Sequence, residues 1–275
     1  MAPQISFMDL PRELRDIVYH ETWKITSNTV AMIDGLRPSD WPKGSRAILQ
    51  VMYPHEHFRC TYGLPQWLRT SKAILNEGMV QLRREATWRF WDPCDIEPAE
   101  CAAPPWPLLY PCVGRTLELE LKMKLLHALS TDGTLTRRFR QSYHGGELAM
   151  FKRIVTDTAD QEAIEDIQIL LDVTYLVVED RSDNPESRNN SFHLDILHAL
   201  GVGFPSLRTL RIHLSYYDAL SNQFRDLHQS VMLRFEDEVE RIARLVLGNG
   251  CTGARSEDNV DTCRSMHRRY NFRRA

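Results

Sequence analysis

Histidine and cysteine spacing offers the first candidates for chemistry in this chain. His55-x-His57-x-x-Cys60 places three possible metal ligands within six residues, and Cys263-x-x-x-His267, with Cys251 upstream, forms a second group. A structural zinc needs four ligands in closed tetrahedral geometry, usually arriving as two close pairs. Each group supplies one close set and lacks its second, so the spacing favours surface histidines and buried thiols, and no metal is expected. His144-Gly145-Gly146-Glu147 has the composition of an oxyanion-hole loop, but no Gly-x-Ser-x-Gly accompanies it, so it reads as a turn. No phosphate-cradling Gly-x-x-x-x-Gly-Lys, His-Glu-x-x-His or dinucleotide fingerprint occurs. The expectation is a non-enzymatic chain with no catalytic residue and no cofactor. An enzyme of another type would have to gather His55, His57 or His144 with acidic partners in one pocket.

The C-terminal run Arg268-Arg269-Tyr270-Asn271-Phe272-Arg273-Arg274 interleaves arginines with aromatics, the combination that holds single strands by charge and stacking. Charge is unevenly spread. Residues 264–275 carry five arginines and no acid, which leaves 29 basic against 37 acidic residues in the remainder. The acidic body and the shortness of the run argue against nucleic acid. A nuclear-targeting role is the next reading, and a disordered basic tail over 251–275 the first.

The other informative stretch runs from Asp9 to Tyr19. Proline suits the first turn of a helix, where its missing N–H loses no partner. Asp9 is placed to cap free N–H groups, and Glu13 adds negative charge where the helix dipole favours it. Leu10, Leu14, Ile17 and Val18 fall at i, i+4, i+7 and i+8, one apolar stripe. Arg12, Arg15 and Asp16 take the other side, with Arg12 and Asp16 in ion-pairing register. On physics alone this is a capped amphipathic helix packing on its own domain.

Leu10-Pro11-Arg12-Glu13-Leu14-Arg15-Asp16-Ile17-Val18-Tyr19 also resembles the opening motif of the F-box-like proteins of filamentous fungi. In that family a second helix follows some tens of residues later. Here Leu64 to Glu77, then Ala86 to Trp91, is similar to it: Lys72 stands for the usual Arg, Ala73 for Gln, Ser71 for Cys, and Glu77 for the acidic residue. The likeness covers roughly the first third of the chain. It implies that Leu10, Pro11, Leu14, Ile17 and Val18 meet the adaptor of an SCF-type ubiquitin ligase, while a later region recruits an unknown target protein.

A chain of 275 residues, 43% apolar and 26% charged, can bury a proper core as one large domain or two small ones. Its six cysteines form no Cys-x-x-Cys pair and no basic n-region leads an apolar run, so reduced thiols in a cytoplasmic or nuclear protein are expected. No stretch reaches the about 18 apolar residues of a membrane-spanning helix, so no membrane partner is expected.

Along the chain, Thr29–Ile33 reads as a strand, and residues 35–63, with their prolines and glycines, as a loop with at most one strand near Ala47–Met52. A long helix is predicted over 68–90 with Leu68, Leu75, Met79, Leu82 and Ala86 inward, weakened at Gly78 by about 1 kcal/mol against alanine. The prolines of 92–114 predict a linker or long loop. Leu117–Leu121 alternates as a half-buried strand, residues 122–143 and 159–171 are predicted helical, and 173–178 is a strand. After a polar loop over 180–191 come a helix near 193–200 and a strand with Leu207, Leu210, Ile212 and Leu214 at leucine-rich-repeat-like spacing. Helix followed by strand favours parallel pairing through crossovers. The last helix is predicted over 217–247, with Phe235, Val239, Ile242 and Val246 inward and Gly248 past its end.

The expected architecture is α+β or mixed α/β. An F-box-like helical region spans 1–91, a proline-rich linker 92–114, a mixed helix–strand layer with leucine-rich-repeat-like strands 115–250, and the tail 251–275. The expected function is protein interaction in a ubiquitin ligase. The alternative is a self-contained structural or regulatory protein with no ubiquitin connection, and exposure of the first stripe separates the two.

Overall fold

The computed structural model describes residues 6–26, 28–33, 47–54, 60–62, 64–91, 114–129, 135–143, 148, 151–152, 154–156, 163–179, 194–217, 225–262 and 265–275. Its contacts fall into two units, residues 1–35 with 43–117 and residues 36–42 with 118–275. The proline-rich stretch, apart from Gly114, lies outside the described residues, as does the loop over 180–191.

In the first unit Ser6 closes a capping box with Asp9 around a single 3-10 turn, Phe7–Asp9. Asp9 therefore caps this turn and not the helix that follows. Helix α1, Arg12–Ile25, starts from Pro11 and buries Tyr19 and Trp23. Helix α2, Lys72–Glu85, is capped by Ser71, whose hydroxyl accepts from the Ile74 N–H at 3.2 Å. The long helix predicted over 68–90 is divided. A 3-10 turn, Gln66–Arg69, precedes α2, and strand β4, Thr87–Trp91, follows it. Trp88 and Phe90 alternate into the core there, and β-branched and aromatic residues favour a pleated surface over a last helical turn. Strands β1 (Asn28–Ile33), β2 (Ala47–Met52) and β3 (Cys60–Tyr62) complete the sheet in the order β3–β1–β2–β4. β2 runs antiparallel to both neighbours, while β1 and β3 are parallel.

The second unit is a mixed sheet in the order β6–β5–β7–β8–β10–β9. Strand β5, Thr116–Leu129, and strand β6, Leu135–Tyr143, pair antiparallel over the stretch predicted as a helix. The period-2 pattern begun at Leu117 simply continues: Leu117, Leu119, Leu121, Met123 and Leu125 are all buried. Strand β7, Asp166–Glu179, stands where the second half of the helix over 159–171 is predicted, residues 159–162 lying outside the described residues, because Ile167, Ile169, Leu171 and Val173 alternate inward. The spacing of Ile164, Ile167 and Leu171 fits a helix as well, but Ile164 precedes the strand, and Ile167 and Leu171 are only two of its inward residues.

Strand β8, Thr209–Tyr217, pairs parallel with β7, and between them lie a 3-10 turn and the short helix α3, His198–Gly203. This is the crossover that parallel pairing requires. Leu210, Ile212 and Leu214 point to the core. Helix α4, Arg225–Leu247, buries Phe235, Val239, Ile242 and Val246 as its period predicts, and Gly248 follows at φ 96°, the left-handed conformation that glycine adopts most readily.

The predicted disordered tail over 251–275 is instead two strands. β9 (Thr252–Thr262) and β10 (Ser265–Arg273) pair antiparallel, and β10 joins the sheet along the whole of β8. Tyr270 and Phe272 are buried, and the Phe235 and Tyr270 rings lie 6.4 Å apart. Beyond β10, the Arg274 guanidinium donates to the Pro205 carbonyl at 2.9 Å and to the Leu247 carbonyl at 3.2 Å. Arginine content suggested solvation, but the two aromatics at alternate positions supply the apolar face of a strand.

Candidate docking surface

Helix α1 is built around a carboxylate that belongs to α2. Glu77 accepts from Arg15 through both oxygens, Nε to Oε2 and Nη2 to Oε1, each at 2.9 Å. Arg12 Nη1 lies 2.8 Å from Oε1, and the Tyr19 hydroxyl donates to Oε2 at 3.1 Å. Arg15 also donates to the carbonyls of Met8 and Leu10, at 3.1 and 2.5 Å, and so ties the turn before the helix to the helix itself. The predicted Arg12–Asp16 pair is present at 2.8 Å. A planar guanidinium matched to a carboxylate fixes orientation as well as charge.

Aromatic packing completes the seat. Trp67 stacks on Tyr19 with ring centroids 6.0 Å apart and meets Trp23 edge-on at 5.1 Å. Trp23 donates its indole N–H to the Gly78 carbonyl at 3.0 Å. Phe7 meets Tyr19 edge-on, and Tyr53, stacked on Trp23, joins His20 and Gln81 by hydrogen bonds of 2.6 and 3.0 Å. The Arg15 hydrogen bond holds the Glu77 carboxyl below its usual range, against the opposing effect of burial. Burial, then the bond to Glu77, pushes the Tyr19 hydroxyl up to about 12.

The consequence is an inversion of the expected polarity. Arg12, Arg15 and Asp16 sit on the side of α1 that carries Tyr19 and Trp23 and meets α2, and the apolar stripe is turned outward. Leu14 is 48% exposed, Ile17 57% and Val18 43%, and Ile25 continues the line at 78%. Pro11 is exposed as well and Leu10 is half-buried. Leu14, Ile17 and Val18 thus share one exposed face of α1, and Leu10 and Pro11 lie immediately before its first residue. Apolar side chains gathered this way mark interaction surfaces in soluble proteins.

His55, His57, Cys263 and His144–Glu147 lie outside the described residues. Cys251 is half-buried and His267 stands on β10, its ring 5.7 Å from that of His213. Among the described residues no group of three His, Cys, Asp or Glu side chains could hold a metal ion, and no helix is long and apolar enough to cross a membrane.

Sequence reasoning missed the seat itself. Glu77 was noticed only as the acidic position of the second block, and Trp67 and Tyr53 carried no periodic signal. The available clue was Arg15, Tyr19 and Trp23 at i, i+4 and i+8, a second stripe as regular as the first. Comparison of the chain with models of protein families, with curated proteins and with solved structures found no match.

Proposed function

We propose that this chain is a non-enzymatic interaction module that docks the adaptor of an SCF-type ubiquitin ligase through Leu10, Pro11, Leu14, Ile17 and Val18. The second unit then serves target recruitment. One observation carries the reading: Leu14, Ile17 and Val18 are exposed while Arg12 and Arg15 are held inward by Glu77. A helix that served only its own domain would bury that stripe. The resemblance of Leu10–Tyr19 to the F-box-like opening supplies the identity of the partner.

The test is co-purification of the recombinant protein with the adaptor, beside a Leu14→Asp, Ile17→Asp double variant. Both side chains are exposed, so the variant is expected to keep its fold and to lose the complex. A folded wild type that captures no adaptor would sink the reading.

The alternative, a self-contained structural or regulatory protein, draws on a different observation. Two residues of the same motif, Arg15 and Tyr19, are spent on internal packing against Glu77 and Trp67. That reading expects no adaptor complex and a stripe whose substitution changes nothing beyond solubility.

A further inference from the structure

β10 separates what its sequence interleaves. Tyr270 and Phe272 face α4, whereas Arg269, Asn271 and Arg273 occupy the opposite face. On β8 the same alternation sends Leu210, Ile212 and Leu214 inward and leaves Arg211 and His213 on the arginine side. The register sets Arg211 between Asn271 on one neighbouring strand and Gln168 on the other, and His213 beside Arg269. These side chains line an open cleft of about 930 Å³ across β7, β8, β10 and β9.

We infer that this cleft docks an acidic, extended segment of a partner protein. The inference deepens the target-recruiting part of the proposed function and rests on that reading for its biological setting, although its chemistry uses the second unit alone.

Charge decides the occupant. Among the described residues, none that lines the cleft is acidic, although the chain as a whole carries a net charge of −3. The acids of β7 on this face, Asp166 and Asp172, stand outside the lining. Arg211 and Arg273 are exposed and, among the described residues, make no ion pair. Two guanidinium forks with amides beside them suit carboxylates, which they can grip through two parallel hydrogen bonds.

Spacing decides the shape. Arg269 and Arg273 are four residues apart on one strand, about 13 Å, with Arg211 on the adjoining strand between them. An extended peptide presents side chains on one face about every 7 Å, so acids at alternate positions fall into step with these cations. Single-stranded nucleic acid would use aromatic faces for its bases. Tyr270 and Phe272, the aromatics that suggested such a role, are buried, with the Tyr270 ring beside Phe235 of α4, and offer no open face to a base.

The test is fluorescence polarisation of a labelled peptide of about ten residues with glutamate at alternate positions, ~33 Å when extended. It is titrated with the full chain at low salt, beside its glutamine counterpart and a single-stranded oligonucleotide of equal charge. The acidic peptide is expected to bind and the glutamine peptide not to. Arg211→Gln with Arg273→Gln is expected to weaken binding about tenfold or more with unchanged circular dichroism, as loss of central charged contacts does. The Leu14→Asp, Ile17→Asp variant is expected to bind the peptide like wild type.

No binding, binding indifferent to the two arginines, or displacement of the peptide by the oligonucleotide would each overturn the inference. Peptide binding without adaptor capture would leave the cleft standing and remove the ligase reading. Adaptor capture without peptide binding would do the reverse.

Discussion

Glu77 is the side chain on which the candidate surface depends. Its carboxylate and the Arg15 guanidinium are only 16% and 15% exposed, so removing one leaves the other largely desolvated and without its ionic partner. Glu77→Gln is expected to lower stability, because it takes the ionic partner from Arg15 and the charged acceptor from Arg12 and Tyr19. The effect has a pH signature. Contact with Arg15 lowers the folded pKa, so the stabilisation is complete above the unfolded value of about 4.3. It is lost as pH falls through the folded value, because the unfolded chain takes up its proton first. Urea unfolding of the two proteins should therefore show a gap near neutrality that narrows in acid. A gap constant with pH would assign the loss to shape and not to charge.

At the level of elements, α2 shows why a rule read from the sequence can point the wrong way. Glycine within a helix costs about 1 kcal/mol relative to alanine, so Gly78→Ala would ordinarily stabilise. Here a Cβ would fall 2.4 Å from Leu68 Cδ2 and 3.1 Å from the Trp67 ring, and Leu68 is fully buried. The substitution is expected to lower stability by about 1–3 kcal/mol, the usual cost of overpacking, as read from the thermal midpoint. A stabilised variant would mean that α2 does not lie this close to the turn before it. The same contrast governs what was legible. In α4 the stripe of Phe235, Val239, Ile242 and Val246 ran long enough to fix the element and its buried face. In β7 the spacing of Ile164, Ile167 and Leu171 satisfied a period of 3.6, whereas β5 continued the period-2 alternation already legible at Leu117–Leu121. For α1 the periodicity located the stripe but not its outward direction, because Tyr19 and Trp23 form a second stripe and the choice rested with Glu77, 62 residues from Arg15.

For the molecule as a whole, the largest revision concerns its last 25 residues. A net charge concentrated at one end reads naturally as a solvated tail, since composition says nothing of which face each residue takes. Strand alternation changes its meaning. The arginines of 269 and 273 become one wall of a cleft, Arg268 joins Arg255 at Glu236 of α4, and the aromatics close the core against the same helix. A chain ending at Gly250 would keep its full stability if these residues were disordered. In this structure it would strip β8 of its antiparallel partner and uncover Phe235, and is expected to give a second unit that is not cooperatively folded. Since truncation is a coarse change, Phe272→Ala in the intact chain provides the finer measurement. Its ring is 6% exposed, so the loss should be about 3 kcal/mol or more in urea unfolding, whereas a residue in a solvated tail would shift nothing. Agreement of the two experiments would make the basic end part of the fold before it is part of any binding site. The cleft then inherits its rigidity from the core behind it, which is the condition for two exposed arginines to hold a fixed spacing toward a partner.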